Sequence, residues 1–416
     1  MTKWFSDICY AARNILRNRL LSIFTIVVAT VSAVFLNVVL QLADTVYGNN
    51  PPFTNADRMV SICTSDFRNK DGRYVDGIEV QYINGFLKKI HNLENSGVSN
   101  TESVMVLAEA NVIPTYASFV SGQYWEINDF SFIEGRPFTE DEAFDAAKVA
   151  VVTESFARHS FGKGPAAGRE IEVQGIKYEI IGVVEDYSSF SVSNKHPEVW
   201  LTCSNTKFLP SGDPYYILDL MFTEDVTEEE LKQDLLAALK DFYRVRKVDL
   251  DLETEDILTV KEARIAMFGD TGGLFIGIGV IIVLLLLIPV ANIVSLNESG
   301  IQGRMPELAV RRALGATKGD IVRLLMTENL LLVMAGTVIG IALTGPAVGL
   351  AENLFFRAGG IEATILADNV SATGIVAVFI YAIVFSALST GIPAWLSVRK
   401  CTATLMKGGD YVQEHD

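Results

Sequence analysis

The apolar residues of this chain are gathered into four long runs, which cover residues 20–42, 272–296, 329–351 and 372–396. A helix of about 20 apolar residues is long enough to cross the hydrocarbon core of a bilayer. A secretory signal would have a shorter apolar core and a small-residue cleavage site, so we interpret the first run as a retained helix. The pattern therefore predicts a membrane α-helical protein with four transmembrane helices.

Glycines recur in the third apolar run at spacings of four and five residues, at Gly336, Gly340 and Gly345. Small residues at such spacing allow two helices to approach closely in lipid, where there is no hydrophobic drive to bring them together. The three glycines therefore predict a helix–helix contact.

Residues 43–270, between the first two runs, show polar and apolar residues alternating at the spacings of strands and helices, as in a folded domain. Strands are predicted at 58–64, 103–107, 149–152, 170–173, 178–184, 216–223 and 248–252. Helices are predicted at 80–90 and after Thr227, whose Glu230 completes a capping box. The prediction is an α+β domain, in which α/β parts at about 50–108 and 215–262 flank an inserted β-rich subdomain at about 109–214.

Charge is distributed unevenly along the chain. The net charge is −16, and residues 43–270 alone hold 39 acidic and 21 basic residues, a net of −18. The remaining, membrane-associated part is slightly basic. An acidic balance of this size argues against nucleic acid as a partner.

Basic residues near the ends of the apolar runs indicate the orientation, because cytoplasmic loops are enriched in Lys and Arg. They cluster before the first run, in the loop at 297–328 and in the tail at 397–416, whereas the loop at 352–371 contains only Arg357. Both termini and the 297–328 loop are therefore expected in the cytoplasm, and the large domain outside it. Residues 1–19 have the spacing of an amphipathic helix lying on the inner leaflet; a plain extension of the first span is the alternative.

No catalytic or metal-binding set is apparent. His91, His159 and His196 are widely separated, and no cysteine pair has CxxC spacing. Cys63 and Cys203 lie in the acidic domain and are candidates either for a disulfide or for two separate thiols. Acidic triplets at 140–142 and 228–230 fall at predicted helix starts, where they complement the helix dipole. We therefore expect neither a catalytic site nor a bound metal or cofactor on this chain.

The loop at 297–328 has the signals of two short helices joined by a turn. Glu307 precedes Arg311 by four residues, the favourable order for an ion pair along a helix. Gly315 is placed to end the first helix, and Thr317 with Asp320 forms a cap for the next. A generic basic loop would not need these signals, so the loop is predicted to be a shaped docking surface.

This loop, from Gly303 to Val322, resembles the motif of FtsX-like ABC transporter permeases, in which a basic helix ends in Gly-Ala-Thr before the third membrane helix. Ala12-Arg13-Asn14-Ile15 is similar to the R-N-L found before the first span of that family. Residues 134–138, 149–161 and 180–184 resemble the MacB-type periplasmic core, and 393–395 with 404–405 resemble the family's C-terminal segment.

The resemblance implies a permease that does not pass substrate through its membrane helices. Such permeases dimerise with an identical copy or a paralogue, bind ABC ATPase subunits on the cytoplasmic face and pass nucleotide-driven motion to their periplasmic domains. The sequence contains no GxxxxGK[ST] phosphate-binding loop, so the ATPase, with its ATP and Mg²⁺, is expected on a separate chain. The resemblance also implies that this chain lies in the bacterial cytoplasmic membrane.

By position in the motif, the residues expected to bind the ATPase are Arg304, Glu307, Arg311, Arg312, Gly315 and Thr317. The resemblance implies export of drugs, peptides or toxins, with a periplasmic adaptor and an outer-membrane channel as further partners, and the size of the outer domain favours this over a small-domain cell-division permease. Release of lipoproteins is the alternative within the family. A membrane-anchored sensor without transport is an alternative of a different class, although the short cytoplasmic segments disfavour it.

Overall fold

The computed structural model describes residues 19–63, 67–78, 80–109, 111–188, 196–203, 216–266, 276–277, 279–281, 283–284, 287, 305–355, 372–391 and 394. The chain divides into two compact units. The helical unit consists of Met1–Leu42, Gly272–Ala358 and Asn369–Asp416, and the α/β unit consists of Ala43–Thr271 with Gly359–Asp368.

The helices of the described residues are α1 (Arg19–Tyr47), α2 (Val80–Leu87), α3 (Tyr124–Ile127), α4 (Glu140–Phe144), α5 (Glu154–Phe161), α6 (Glu228–Val245), α7 (Val260–Ala266), α8 (Met305–Ala313), α9 (Lys318–Phe355) and α10 (Ala372–Ser386). A 3₁₀ turn covers Thr254–Asp256, and a π-helical turn, Ala387–Gly391, directly follows α10.

Three stretches of the described helices are long and apolar enough to cross a membrane: Arg19–Gln41, Lys318–Leu350 and Gly374–Gly391. They correspond to the first, third and fourth predicted spans. Most of the second predicted span, 272–296, lies outside the described residues, as do the segments at 1–18 and 395–416. The third span is longer than predicted, because α9 continues without a break from the loop before it.

The first and third spans pack backbone against backbone. A Cβ atom added to Gly336 would lie 2.7 Å from the Ala29 Cβ, and one added to Gly340 would lie 2.7 Å from the Ala33 Cβ. The predicted close approach is therefore present at these two glycines. At Gly345 an added Cβ would meet no described atom within 4 Å, so the described residues show no such approach there. A step of five residues turns Gly345 away from the face that Gly336 and Gly340 share.

The strands of the α/β unit are β1 (Met59–Cys63), β2 (Leu93–Ala108), β3 (Asn111–Val120), β4 (Phe132–Gly135), β5 (Val149–Thr153), β6 (Glu170–Val173), β7 (Ile176–Val184), β8 (Pro197–Thr202) and β9 (Ile217–Phe222). Their main order in one mixed sheet is β1-β9-β2-β3-β8-β5-β7-β4, and β6 pairs with both β2 and β7. The pairs β3–β8 and β5–β7 are parallel and the other pairs are antiparallel.

Because β6 bridges β2 and β7, six strands close into a ring: β2, β3, β8, β5, β7 and β6. A closed ring has no unpaired edge and encloses every second side chain of each strand. Along β2, Val104, Val106 and Ala108 are buried while Met105 and Leu107 are exposed. The buried set joins Ile113, Ile171, Ile180 and Leu201 in one apolar core, into which α5 places Phe156.

A second core lies where β1, β9 and the first half of β2 meet helices α2 and α6. Leu231, Leu235 and Leu239 of α6 pack with Phe86 of α2 on the sheet. The predicted capping box is present at the start of α6, since the Glu230 backbone N–H donates to the Thr227 Oγ1 at 3.4 Å and the Thr227 N–H donates to the Glu230 carboxylate at 3.0 Å.

Two predictions for this unit need correction. The strand predicted at 103–107 is the end of the 16-residue β2, so the sheet is continuous from the α/β part into the β-rich part and the ring includes residues assigned to the former. The strand predicted at 248–252 is wrong. Leu250 forms a single bridge to Asn69, and its side chain is buried in the α/β core. Its apolar residues serve packing rather than sheet pairing.

The two cysteines of this unit, Cys63 and Cys203, are half-buried thiols in the structure.

Candidate functional site

The loop that carries the family motif folds into a helical corner, defined here as α8, residues 314–317 and the first two turns of α9. The helix α8 starts at Met305, so Pro306 lies in its first turn. Backbone N–H groups in the first turn have no partner within the helix, so the N–H that proline lacks costs no hydrogen bond there. The described residues therefore contain the predicted pair of helices.

The turn between the helices is closed by backbone hydrogen bonds. Gly315 has φ +95°, a conformation that strains any side chain. Its N–H donates to the Arg312 carbonyl at 3.0 Å, and the Ala316 N–H donates to the Arg311 carbonyl at 3.1 Å. This is the Schellman pattern of a helix C-terminus, so the change of direction after α8 is determined by the backbone itself.

The start of α9 is capped by side chains. The Asp320 N–H donates to the Thr317 Oγ1 at 3.1 Å, and the Thr317 N–H donates to an Asp320 carboxylate oxygen at 3.0 Å. The predicted cap is therefore present. Together with the glycine turn, it holds the corner in one geometry.

The inner side of the corner has its own small apolar core. Leu308 of α8 is buried against Ile321 and Leu325 of α9, and Ala394 of the fourth span completes the cluster. Each of these buried residues ties the corner to a membrane helix, because α9 is the third span and Ala394 lies at the end of the fourth. The corner is therefore packed against the ends of two of the long apolar helices.

The charged residues expected to bind a partner lie on the sides of α8. The Arg311 Nε is 3.8 Å from the Glu307 Oε1, and each side chain is about one-third exposed. Arg312 is half-buried, and Arg304 lies outside the described residues. A surface pair at this distance contributes about 0.3–0.5 kcal/mol, enough to support the helix but not to fix the corner.

Two large apolar side chains of the corner are exposed, which the sequence analysis did not predict. Leu314 is 83% exposed and Val310 is 59% exposed. Val310 lies on the side of α8 opposite the buried Leu308, and Leu314, directly after the helix, continues that side through its N–H bond to the Val310 carbonyl at 3.0 Å. The phase of the helix puts positions 310 and 314 away from Leu308, but only the structure shows that this side is left uncovered.

The α/β unit shows no competing active site in the residues that the structure describes. No group of three His, Cys, Asp or Glu side chains among them is arranged to hold a metal ion. His196 packs on the Tyr187 ring, with ring centroids 4.3 Å apart, and burial lowers its pKa to about 4. His91 and His159 are exposed.

The acidic triplets serve helix starts, as predicted. Thr139 and Glu142 form a second capping box, and the Glu142 carboxylate also accepts two hydrogen bonds from the Arg136 guanidinium at 2.7 and 2.8 Å. The Arg136 hydrogen bond is the largest cause that lowers the pKa of Glu142 to about 2. Such a carboxylate is a fixed anion at neutral pH and does not act as an acid or base.

The same unit has an open cleft of about 410 Å³, lined by Asn49, Thr54, Asn55, Asp57, Arg58, Glu224, Val226, Glu228 and Leu231. Arg58 is engaged by its neighbours: it pairs with Glu94, donates to the Phe222 carbonyl at 2.6 Å and lies 3.7 Å from Glu224.

Comparison with known proteins agrees with the architecture. The pattern of the MacB-like periplasmic core domain matches residues 20–238, about half of the chain, and that of the FtsX-like permease C-terminal region matches residues 279–402. The second match contains the corner and the spans that follow it.

Several curated proteins are similar to this chain. The macrolide export ATP-binding/permease protein MacB of Rhodopseudomonas palustris is 28% identical over 282 residues, which cover 66% of this chain and 41% of that protein. The uncharacterized ABC transporter permease YknZ of Bacillus subtilis is 23% identical over 267 residues, 62% of this chain and 63% of YknZ. The chain thus spans only part of these relatives.

Among solved structures, the periplasmic region of MacB from Actinobacillus actinomycetemcomitans aligns with 52% of this chain and 94% of its own, at a TM-score of 0.40 and 17% identity. The matches to the two family patterns, taken with the apolar spans and the mixed α+β unit, place this chain in the MacB/FtsX-type family of ABC transporter permeases.

Proposed function

We propose that this chain is the permease subunit of a mechanotransmission-type ABC transporter, in which a partner ATPase docks on the helical corner and its motion reaches the α/β unit. ATP and Mg²⁺ bind to the ATPase, and this chain contributes no catalytic residue. The chain lies in the bacterial cytoplasmic membrane with both termini and the corner in the cytoplasm and the α/β unit outside.

The exposure of Leu314 carries this proposal. A leucine held 83% exposed by a glycine turn and a capped helix is displayed by a rigid element rather than by a mobile loop. Val310, four residues earlier, is also exposed on the same side, and neighbouring exposed apolar side chains of this kind mark protein–protein contacts. The ATPase is therefore expected to receive Leu314 and Val310 in an apolar groove, with Glu307 and Arg311 at the rim of the contact.

Export is the transport direction that the relatives favour. The MacB protein of Rhodopseudomonas palustris, which the chain resembles, is by its name an exporter of macrolides. For this chain we propose export of a drug, peptide or toxin by a dimer of permeases, with an adaptor and outer-membrane channel completing the path.

The test is the co-purification of the ATPase with the tagged full-length chain in mild detergent, for wild type and for Leu314→Asp and Val310→Asp. Placing a carboxylate in an apolar contact should weaken ATPase binding at least about tenfold, or about 1.4 kcal/mol. Phe144→Asp is the matched control, because Phe144 is 81% exposed but lies in the α/β unit. It should leave ATPase binding unchanged.

Glu307→Arg and Arg311→Glu, tested singly, should weaken binding less than Leu314→Asp, because rim charges contribute less than a buried anchor. Unchanged ATPase binding in all four corner variants would disprove the docking role. The co-purifying proteins also separate the alternatives. An adaptor supports export, a lipoprotein supports lipoprotein release, and a wild-type chain that brings down no ATPase supports the sensor.

A further inference from the structure

An asparagine side chain joins the third and fourth spans inside the helical unit. The Asn329 Nδ2 of α9 donates to the Ser386 Oγ at 3.2 Å and to the Ser389 Oγ at 3.0 Å. All three side chains are buried. In a membrane interior a polar group finds no water, so such a group normally marks a specific contact between helices.

The acceptors of Asn329 lie at an irregular part of the fourth span. Ser386 is the last residue of α10, and Ser389 lies within the π-helical turn Ala387–Gly391. A π turn contains one residue more than an α turn, and such turns are rare and are often found at functional sites. Because it can give up that extra residue by a shift in register, it is a place where a helix can absorb movement.

The π turn lies between the corner and the rest of the fourth span. Ala394, three residues beyond the turn, packs with Leu308, Ile321 and Leu325 in the core of the corner. Leu325 and Asn329 are four residues apart on α9 and therefore share one face of that helix. The same face of α9 thus contacts the fourth span at two places. Leu325 packs with Ala394 beyond the π turn, and Asn329 bonds to Ser386 and Ser389 before and within it.

The first span is held to α9 in a different way. Asn37 donates to the Thr344 Oγ1 at 3.1 Å, but the same pair of helices also makes the backbone contacts at Gly336 and Gly340. Its association therefore does not depend on one amide. This difference makes Asn37 a matched control for Asn329.

We infer that Asn329 is a coupling residue, which clamps the π turn through Ser386 and Ser389 so that displacement of the corner is passed into α10 instead of being absorbed by the turn. The inference rests on the proposed function, because it requires an ATPase that moves the corner. Asn329 acts through the helices and contacts neither nucleotide nor substrate.

The test compares the full permease–ATPase complex in lipid nanodiscs with and without a non-hydrolysable ATP analogue and Mg²⁺, by hydrogen–deuterium exchange. In wild type, nucleotide should change the exchange of residues 305–320 and also of the α/β unit. Asn329→Leu should keep the ATPase bound and keep the change at 305–320, while the change in the α/β unit falls to less than about a third. Asn37→Leu should retain most of the nucleotide-dependent change in the α/β unit.

The double variant Ser386→Ala/Ser389→Ala removes the acceptors instead of the donor and should reproduce the loss, and it serves as the test should Asn329→Leu not assemble. Asn329→Gln, which keeps an amide donor, should restore part of the response. If both the double variant and Asn329→Leu respond as wild type does, the inference is overturned while the proposed function stands. An equal loss in Asn37→Leu would also overturn it. A wild-type complex without any nucleotide-dependent change in the α/β unit would overturn the proposed function, and the inference with it.

Discussion

At the scale of single residues, Asp219 is a carboxylate buried in the sheet of the α/β unit. It accepts hydrogen bonds from the Ser61 Oγ at 2.6 Å and from the Ser99 Oγ at 2.8 Å. Burial raises the pKa of Asp219, and the two hydroxyl hydrogen bonds only partly oppose this. The folded unit therefore holds a proton on this group at a pH where the unfolded chain has released it.

This shift gives Asp219 a destabilising contribution that grows with pH. Stability is greatest below the ordinary pKa of the carboxyl and falls as pH rises through the raised pKa of the folded state. Asp219→Asn should remove this loss, so that the variant melts a few degrees higher than wild type at pH 7 to 8, at about 2–4 °C per kcal/mol. Near pH 4 the two should converge. Tryptophan fluorescence during heating measures this, because Trp125 and Trp200 lie in this unit.

Other groups titrate in the same unit, so the comparison needs a control. Burial also raises the pKa of Asp186. Asp71→Asn, which removes a carboxyl from an exposed position of the same unit, is the control. Its melting should depend on pH as that of wild type does. An identical pH profile for Asp219→Asn and wild type would refute the role assigned to Asp219.

Gly336 provides a second prediction at this scale. Gly336→Leu would put a Cβ 2.7 Å from both the Ala29 Cβ and the Ile26 carbonyl oxygen, contacts that require the first and third spans to separate. Overpacking of this kind costs about 1–3 kcal/mol. Thermal unfolding in mild detergent should show a clear loss for Gly336→Leu.

The matched control for Gly336→Leu is Gly345→Leu on the same helix, where an added Cβ meets no described atom within 4 Å. It should melt as wild type does. Equal losses in the two variants would show that helix propensity or lipid contact, and not the contact with the first span, explains the effect.

At the scale of elements, caps and turns were the features that local sequence predicted best. Thr227 with Glu230, and Thr317 with Asp320, form the expected reciprocal hydrogen bonds. These bonds join residues three positions apart, so their geometry depends on the local backbone. The same holds for the positive φ of Gly315. Contacts between distant residues do not share this advantage.

The cap of α6 supports a prediction for this scale. Thr227→Ala removes the hydroxyl that accepts the Glu230 N–H, and a lost cap of this type costs about 1 kcal/mol. Faster amide exchange in the first turn of α6 and a small loss in thermal stability are expected. Glu229→Ala, in the same turn but outside the capping box, should have a smaller effect. A larger effect for Glu229→Ala would mean that charge near the helix start matters more than the cap.

At the scale of the whole molecule, the predicted strands were mostly found in place, but their arrangement was not predicted. Alternation of polar and apolar residues marked β6, β7 and β9 within about two residues of their observed bounds. The alternation does not reveal which strands pair. The closure of the ring depends on β6 pairing with β2 as well as with its neighbour β7, and the β6–β2 contact joins residues more than 60 positions apart. The prediction of a separate insert at 109–214 failed at β2 for this reason.

The sequence by itself determined the apolar spans, the capped corner, the α+β character of the large unit and, through its motifs, the family. These features depend on residues close together in the chain, where periodicity, capping and backbone preference act directly. Only the tertiary structure showed the six-strand ring, the exposure of Leu314 and the bonds from Asn329 to Ser386 and Ser389. Each of these depends on which distant segment covers a given face, and the local pattern of a single chain does not contain that information.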